Sequence, residues 1–427
     1  MIRIQFGKPV WPYSWPIWRK GGTMDHMTSQ KTDRKRKLSP TPLSRLPGQD
    51  NRMHWHELRS LFPVTEQHIF LNHAAIAPLS TKAADAMAAH VRDVATEASH
   101  GYPRWLKQIN KVRKLAATLI GAGVDDIAFV GNTSSGLATI AESFPWQQGD
   151  AVMFAVPDYP ANVYPWMHLK ERGVQLCPVS RQNGRIEPEQ LEAAWTPNVR
   201  MLALSSVDYA TGFAVDLPAI GRWCAQRDIR FAVDAIQSLG IMPLDVKECG
   251  IHFLAAGAQK WLLGPMGIGL LYLEPGQRAR LRPPLVGWKS VVEPENFQLN
   301  FELREDAARF EPGTLNLPGI YGVGAALELL LDIGVENIRD RVFGLIDQLA
   351  GHCTELGLAS PTPIEGGHRS GIYSVEVPEP ERSYQTLMEA GVFHSLRDGK
   401  LRFSPHFYNT DEEIDRTVEL LARTGVV

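Results

Sequence analysis

Between Phe231 and Tyr272 the chain reads FAVDAIQSLGIMPLDVKECGIHFLAAGAQKWLLGPMGIGLLY, and no other stretch restricts the fold as much. A short apolar run, Phe231-Ala232-Val233, ends on a carboxylate, Asp234. A second run, Phe253 to Ala256, leads into Gly257-Ala258-Gln259-Lys260. A third, Ile268 to Leu273, follows the Gly/Pro-rich turn Gly264 to Gly267. Short apolar runs bounded by turn residues have the pattern of strands buried on both faces. An acid at the end of one strand and a lysine at the end of the next can then share a crevice at one edge of a sheet.

The same alternation extends upstream. Ile127-Ala128-Phe129-Val130, Ala151 to Val156 and Met201 to Leu204 read as strands. Helices are expected over Thr81 to about Ser99 with Ser80 as N-cap, over Pro103 to Leu119, over Leu137 to Phe144 and over Pro218 to Arg227. Strands alternating with helices imply an α/β fold with a mainly parallel sheet covered on both faces. Ligands in such sheets sit at the carboxyl ends of the strands.

Asp234 and Lys260 together suit pyridoxal phosphate (PLP). A lysine amine forms a Schiff base with the cofactor aldehyde, and a carboxylate keeps the pyridine nitrogen protonated so that the ring draws electrons from the substrate's α carbon. Gln237 is placed to donate to the ring's phenolic oxygen. Taken alone, Asp234 reads as a helix N-cap and Lys260 as a solvated loop lysine. Gly131-Asn132-Thr133-Ser134-Ser135-Gly136 lies between a strand and a helix. Amides and hydroxyls at a helix N-terminus hold phosphate, so Thr133, Ser134 and Ser135 are candidate donors, or simply helix caps.

These motifs resemble the class V aminotransferases, a family that includes cysteine desulfurases, kynureninase-like and isopenicillin N epimerase-like enzymes. The resemblance runs from about residue 69 to 415. It is carried by Asp234-Ala235-Ile236-Gln237, by Lys260 followed by Gly264-Pro265-Met266-Gly267-Ile268-Gly269, by Arg309-Phe310-Glu311-Pro312-Gly313-Thr314, and by Arg402-Phe403-Ser404 with Tyr408-Asn409-Thr410.

It implies the PLP-dependent transferase fold type I, a seven-stranded-type sheet sandwiched by helices, plus a small C-terminal α+β domain. The expected division is a disordered extension over 1–52, a PLP-binding domain over 53–314 whose segment 53–71 packs on the small domain, and the small domain over 315–427. Met24, Met27 and Met53 are alternative starts.

The resemblance also assigns roles. Tyr159 stacks on the cofactor ring, and Asn162 matches a substrate-side asparagine of the desulfurase branch. Gln259 replaces the histidine that many members carry before the lysine. Gly257 replaces a phosphate-binding serine, so the phosphate needs another donor. Thr314 reaches the cofactor phosphate of a partner subunit, which implies a homodimer with shared sites. Arg402 pairs with the substrate's α-carboxylate, a task suited to a planar guanidinium, with Arg397 in reserve. Asp208 or Tyr209 approaches the ring oxygen or substrate. Asn72 and His73 lie near the mouth, or serve only the turn.

A cysteine desulfurase needs a nucleophilic cysteine on the loop before the terminal arginine. That loop, Gly391 to Gly399, has none, and Cys353 lies upstream in an expected helix. The reading is therefore an enzyme acting at the α carbon of an amino acid, with Lys260 as catalytic base, of transaminase, epimerase or C–S lyase type. A desulfurase or selenocysteine lyase-like activity, or a non-catalytic binding protein of the same fold, are the alternatives. The intact Asp234, Gln237, Lys260 and Arg402 argue against the last.

A net charge of -3 over 427 residues offers no electrostatic case for nucleic acid or membrane partners, the basic cluster Arg34 to Lys37 notwithstanding. Four cysteines without C-x-x-C spacing argue against a disulfide framework or zinc site and for a reducing, cytoplasmic setting. His54 and His56 lack a third ligand nearby, so no metal is expected.

Overall fold

The computed structural model describes residues 55–296 and 299–423; the expected extension over 1–52 lies outside them. Its strands are β1 (Ile69–Phe70), β2 (Ile127–Val130), β3 (Ala151–Val156), β4 (Gln175–Ser180), β5 (Val199–Ser205), β6 (Arg230–Asp234), β7 (Phe253–Gly257), β8 (Gly269–Leu273), β9 (Tyr373–Val375), β10 (Val392–Phe393), β11 (Ser395–Arg397) and β12 (Lys400–Phe403).

Seven of them form the central sheet in the order β2-β8-β7-β6-β5-β3-β4. Pairings from β7 through β6, β5 and β3 to β4 are parallel, and β8 runs antiparallel to both β7 and β2. On β6 and β7 the alternate residues Ala232, Phe253 and Ala255 join one apolar cluster with Leu137 and Ile140 of the helix Thr133–Ser143. Their neighbours Val233 and Leu254 are equally buried. Side chains alternate across a strand, so both faces of the sheet are covered. Each fully buried Phe, Leu or Val contributes about 1.5–3 kcal/mol.

Helix Thr81–Glu97 begins at Ser80, whose hydroxyl accepts the Ala83 amide at 3.2 Å. It packs with Tyr102–Leu119 against Leu317–Ile333, a helix whose central residues are almost all buried. Beyond the second long helix, Val335–Glu355, β11, β12 and β9 form a three-stranded antiparallel sheet. The first described residues pack here: β1 pairs in parallel with β10, Phe62 stacks on Tyr408 at 3.9 Å, and Arg59 pairs with Glu413 at 2.7 Å. Among the described residues no single helix is long and apolar enough to cross a membrane.

Two features depart from the sequence reading. The helix after β2 starts at Thr133, not Leu137, because Asn132 caps it by accepting the Ser135 amide at 2.8 Å. Strand β4 has no counterpart in the expectations. It is a half-exposed edge strand with Pro178 at its centre, so it shows neither an apolar run nor a clean alternation.

Candidate active site

The register of the parallel strands sets Ser205 and Asp234 side by side at the carboxyl ends of β5 and β6, with Asp234 opposite Ala255 in the middle of β7. Asp234 is 2% exposed and lines a narrow crevice with Lys260, Gln237, Tyr159 and Tyr209. Its Oδ1 accepts the Ile236 amide at 3.0 Å, and no donor among the described residues reaches its second oxygen. Burial raises its pKa, Asp158 adds to that, and the Ile236 amide and Lys260 oppose it.

Lys260 sits in the turn that follows β7. The Ala258 amide donates to the Ile268 carbonyl at 3.0 Å and the Leu263 amide to the Lys260 carbonyl at 2.9 Å, which folds the turn back onto β8. The amine lies 5.6 Å from the ring centre of Tyr159, itself half exposed at the mouth. Burial drives its pKa down, the charges of Arg402 and Arg397 lower it further, and Asp234 opposes them. The result is an amine that loses its proton more readily than a surface lysine.

Gln237 joins this turn to the Asp234 strand. Its Oε1 accepts the Trp261 indole at 2.9 Å and its Nε2 donates to the Ala74 carbonyl at 3.1 Å. One amide proton of Gln237 remains for the crevice. Gly240 allows the close approach: its φ is +108°, and a Cβ there would lie 2.5 Å from the Trp261 carbonyl oxygen.

Thr133, Ser134 and Ser135 occupy the first turn of their helix. Thr133 is buried and its hydroxyl accepts the Gly257 amide at 2.9 Å, keeping its own proton to donate. Ser134 and Ser135 are exposed, and Ser135 Oγ donates to Asn132 at 3.1 Å. A Cβ on Gly257 would lie 2.4 Å from Gln259 Oε1 and 3.2 Å from the Thr133 hydroxyl. Those two side chains fill the space that a serine at 257 would take. Gln259 Oε1 is buried without a partner.

Sequence reading overlooked Asp158, Arg181 and Ser205. The carboxylate of Asp158 accepts the Ser205 hydroxyl at 2.9 Å and the Tyr159 amide at 2.7 Å, and pairs with Arg181 at 3.2 Å. The Arg181 and Asp158 side chains are at most 1% exposed. Asp158 lies two residues beyond the end of β3, near the strand end as Asp234 is on β6, and that parallel was the available signal. Asn162, expected at the substrate, is committed to this cluster instead. Its Nδ2 donates to Ser205 at 3.2 Å and its Oδ1 accepts the Trp166 indole at 2.9 Å, behind the crevice wall.

Arg402 is buried on β12, with Nη1 donating to the Tyr209 carbonyl at 2.6 Å. Tyr209 meets Tyr159 edge-on at 5.5 Å, and burial with nearby carboxylates pushes its phenol to about 12. Asp208 serves the turn: its Oδ1 accepts the amides of Ala210 and Thr211 and the Thr211 hydroxyl. Asn72 and His73 are also structural. Asn72 bonds His394 and Ser395; His73 bonds the Ser404 carbonyl at 2.8 Å and the Tyr408 hydroxyl at 2.7 Å. Thr314 is exposed and does not line the crevice.

These residues fit pyridoxal phosphate. A buried carboxylate with a spare oxygen, a buried amine, an aromatic face and the Thr133 hydroxyl at a helix N-terminus match the pyridine nitrogen, aldehyde, ring and phosphate of that cofactor. They include no thiol. No cysteine lines the crevice, and burial raises the thiol pKa of Cys177, Cys249 (to about 11), Cys224 and Cys353 (each to about 12). A nucleophilic thiol needs the opposite shift. The segment 391–399 holds β10 and β11 and the turn into β12.

Known proteins match the chain over most of its length. The aminotransferase class-V family model matches residues 69–417. A probable cysteine desulfurase of Methanothermobacter thermautotrophicus is 27% identical over 408 residues, covering 87% of this chain and 99% of its own. The uncharacterized aminotransferase YcbU of Bacillus subtilis is 28% identical over 369 residues, covering 86% and 97%. Among solved structures, a C-DES variant with glycine covalently linked to its PLP cofactor superposes with a TM-score of 0.79 at 22% identity, covering 85% of this chain and 98% of that one. The fold is fold type I of the PLP-dependent enzymes.

Proposed function

The chain belongs to the aminotransferase class-V family of PLP-dependent enzymes, and we propose that it moves a proton at the α carbon of an amino acid without sulfur relay through a cysteine. One observation carries this reading: Lys260 and Asp234 share a buried crevice that no thiol enters. The reaction is of transaminase, epimerase or C–S lyase type.

The cofactor supplies an electron sink for charge developing at the α carbon. The chain supplies the rest. Asp234 serves the pyridine nitrogen and Gln237 the ring oxygen. Tyr159 covers one ring face. Thr133, Ser134, Ser135 and Gln259 serve the phosphate, joined by Thr314 from a second copy of the chain. Arg402 anchors the α-carboxylate, and Asn162 acts on the substrate side only by bracing Asp158 and Ser205. Lys260 Nζ, kept ready to shed its proton by burial and by two guanidinium neighbours, takes the α proton.

In the same reading residues 53–314 form the cofactor domain and 315–427 the small domain, with two copies assembling around shared sites in a reducing compartment. The contacts of Arg59 and Phe62 with Glu413 and Tyr408 support the return of the N-terminal segment to the small domain, and the free cysteines support the compartment.

The test is an absorbance spectrum of the purified protein with a panel of amino acids. A borohydride-sensitive visible band that changes with one of them, followed by keto acid, inverted substrate or sulfide, supports the reading and identifies the reaction. Persulfide formation on a cysteine during turnover contradicts it.

A further inference from the structure

The hairpin β11–β12 carries two arginines on one face. Ser395 lies opposite Arg402 and Arg397 opposite Lys400. Residues two apart on a strand share a face, so Arg397 is the diagonal neighbour of Arg402, with Cα atoms roughly 7–8 Å apart. Both guanidinium charges act on the Lys260 amine, and that of Arg397 also acts on Tyr209 at the mouth.

Arg397 is half-buried. Its one hydrogen bond goes to the carbonyl of its own neighbour Leu396 at 2.8 Å, and no carboxylate among the described residues pairs with it. The positive charges of Arg402, Arg397 and Lys260 repel one another across the mouth of the site. An α-carboxylate answers Arg402 and leaves Arg397 without an anion.

Resting on the PLP reading above, we propose that the substrate is an amino acid with a second carboxylate on its side chain, held by Arg397 while Arg402 holds the α-carboxylate. Arg397 is then the residue that determines specificity. An uncharged side chain of the same shape gives the half-buried Arg397 guanidinium no counter-charge, so the dicarboxylic substrate is favoured over it.

The experiment titrates the visible band of the holoenzyme with L-aspartate, L-glutamate and L-2-aminoadipate. Each is compared with a neutral match: asparagine, glutamine and norleucine. At least one dicarboxylic amino acid is expected to bind about tenfold or more tightly than its match. Arg397→Gln is expected to bring that ratio to about one, and Arg397→Lys to restore part of it. A wild-type ratio near one, a ratio unchanged in Arg397→Gln, or no response to any dicarboxylic amino acid overturns the proposal. Borohydride bleaching of the same samples reports separately on the PLP reading, since it depends on Lys260 and not on Arg397.

Discussion

The indole of Trp261 donates to Gln237 Oε1 at 2.9 Å. Trp261 follows the lysine directly and Gln237 lies three residues after Asp234, so this bond locks together the two motifs that define the site. In Trp261→Phe the acceptor stays buried without a donor. The expected loss is about 1–3 kcal/mol of stability, with weaker cofactor binding because the amide of Gln237 is freed to turn. Urea denaturation and a PLP titration measure both.

Glu311 is the buried anchor of the Arg309–Thr314 segment. It takes a two-pronged pair from Arg113 at 2.8 and 2.9 Å and accepts the Phe129 amide at 2.8 Å. Glu311→Ala leaves Arg113 charged and buried, and the expected cost is about 3–5 kcal/mol. A loss under about 1 kcal/mol would mean that the pair holds nothing in place.

Cofactor capture by the cofactor-free protein is expected to have a displaced pH profile. The neutral amine is the nucleophile, and burial with Arg402 and Arg397 lowers the pKa of Lys260. Neutral amine therefore persists to lower pH, and the rate of PLP uptake should rise with pH and level off well below about 10.4, the ordinary lysine value. Arg402→Gln removes one positive neighbour and should shift the inflection upward. Stopped-flow absorbance across pH follows it.

Turnover should not need a thiol. Replacing Cys177, Cys224, Cys249 and Cys353 by alanine, singly and together, is expected to leave turnover with amino acid substrates within about twofold, at a stability cost of about 1 kcal/mol per buried site. Steady-state rates and thermal melts check this; a single cysteine whose loss abolishes turnover would point back to a persulfide enzyme.

Much of the site was legible because its chemistry sits at strand ends. Asp234, Gln237 and Lys260 close apolar runs, and the runs reveal the strands that carry them. Arg402 was legible only through resemblance, since nothing in KLRFS marks a buried guanidinium. Asp158 was missed because the prolines around it read as a turn, although it lies just two residues beyond β3. Arg181 follows the edge strand β4, whose half-exposed sequence hides the strand itself. Asn162 was assigned to the substrate from motif position, yet its hydrogen bonds go to the nearby Trp166 and to Ser205, which is distant in sequence and met only in the folded chain. The helix at Thr133 was placed four residues late because Thr-Ser-Ser-Gly reads as a loop, while the Asn132 cap extends the helix back over it.

The most direct measurement is the mass of the Lys260 peptide after borohydride reduction of the holoenzyme and proteolysis. The account predicts that this peptide, and no other, carries the added mass of reduced pyridoxal phosphate, and that Lys260→Ala carries none and neither binds PLP covalently nor turns over. A holoenzyme whose PLP is fixed to another lysine, or a Lys260→Ala protein that retains turnover, would contradict it.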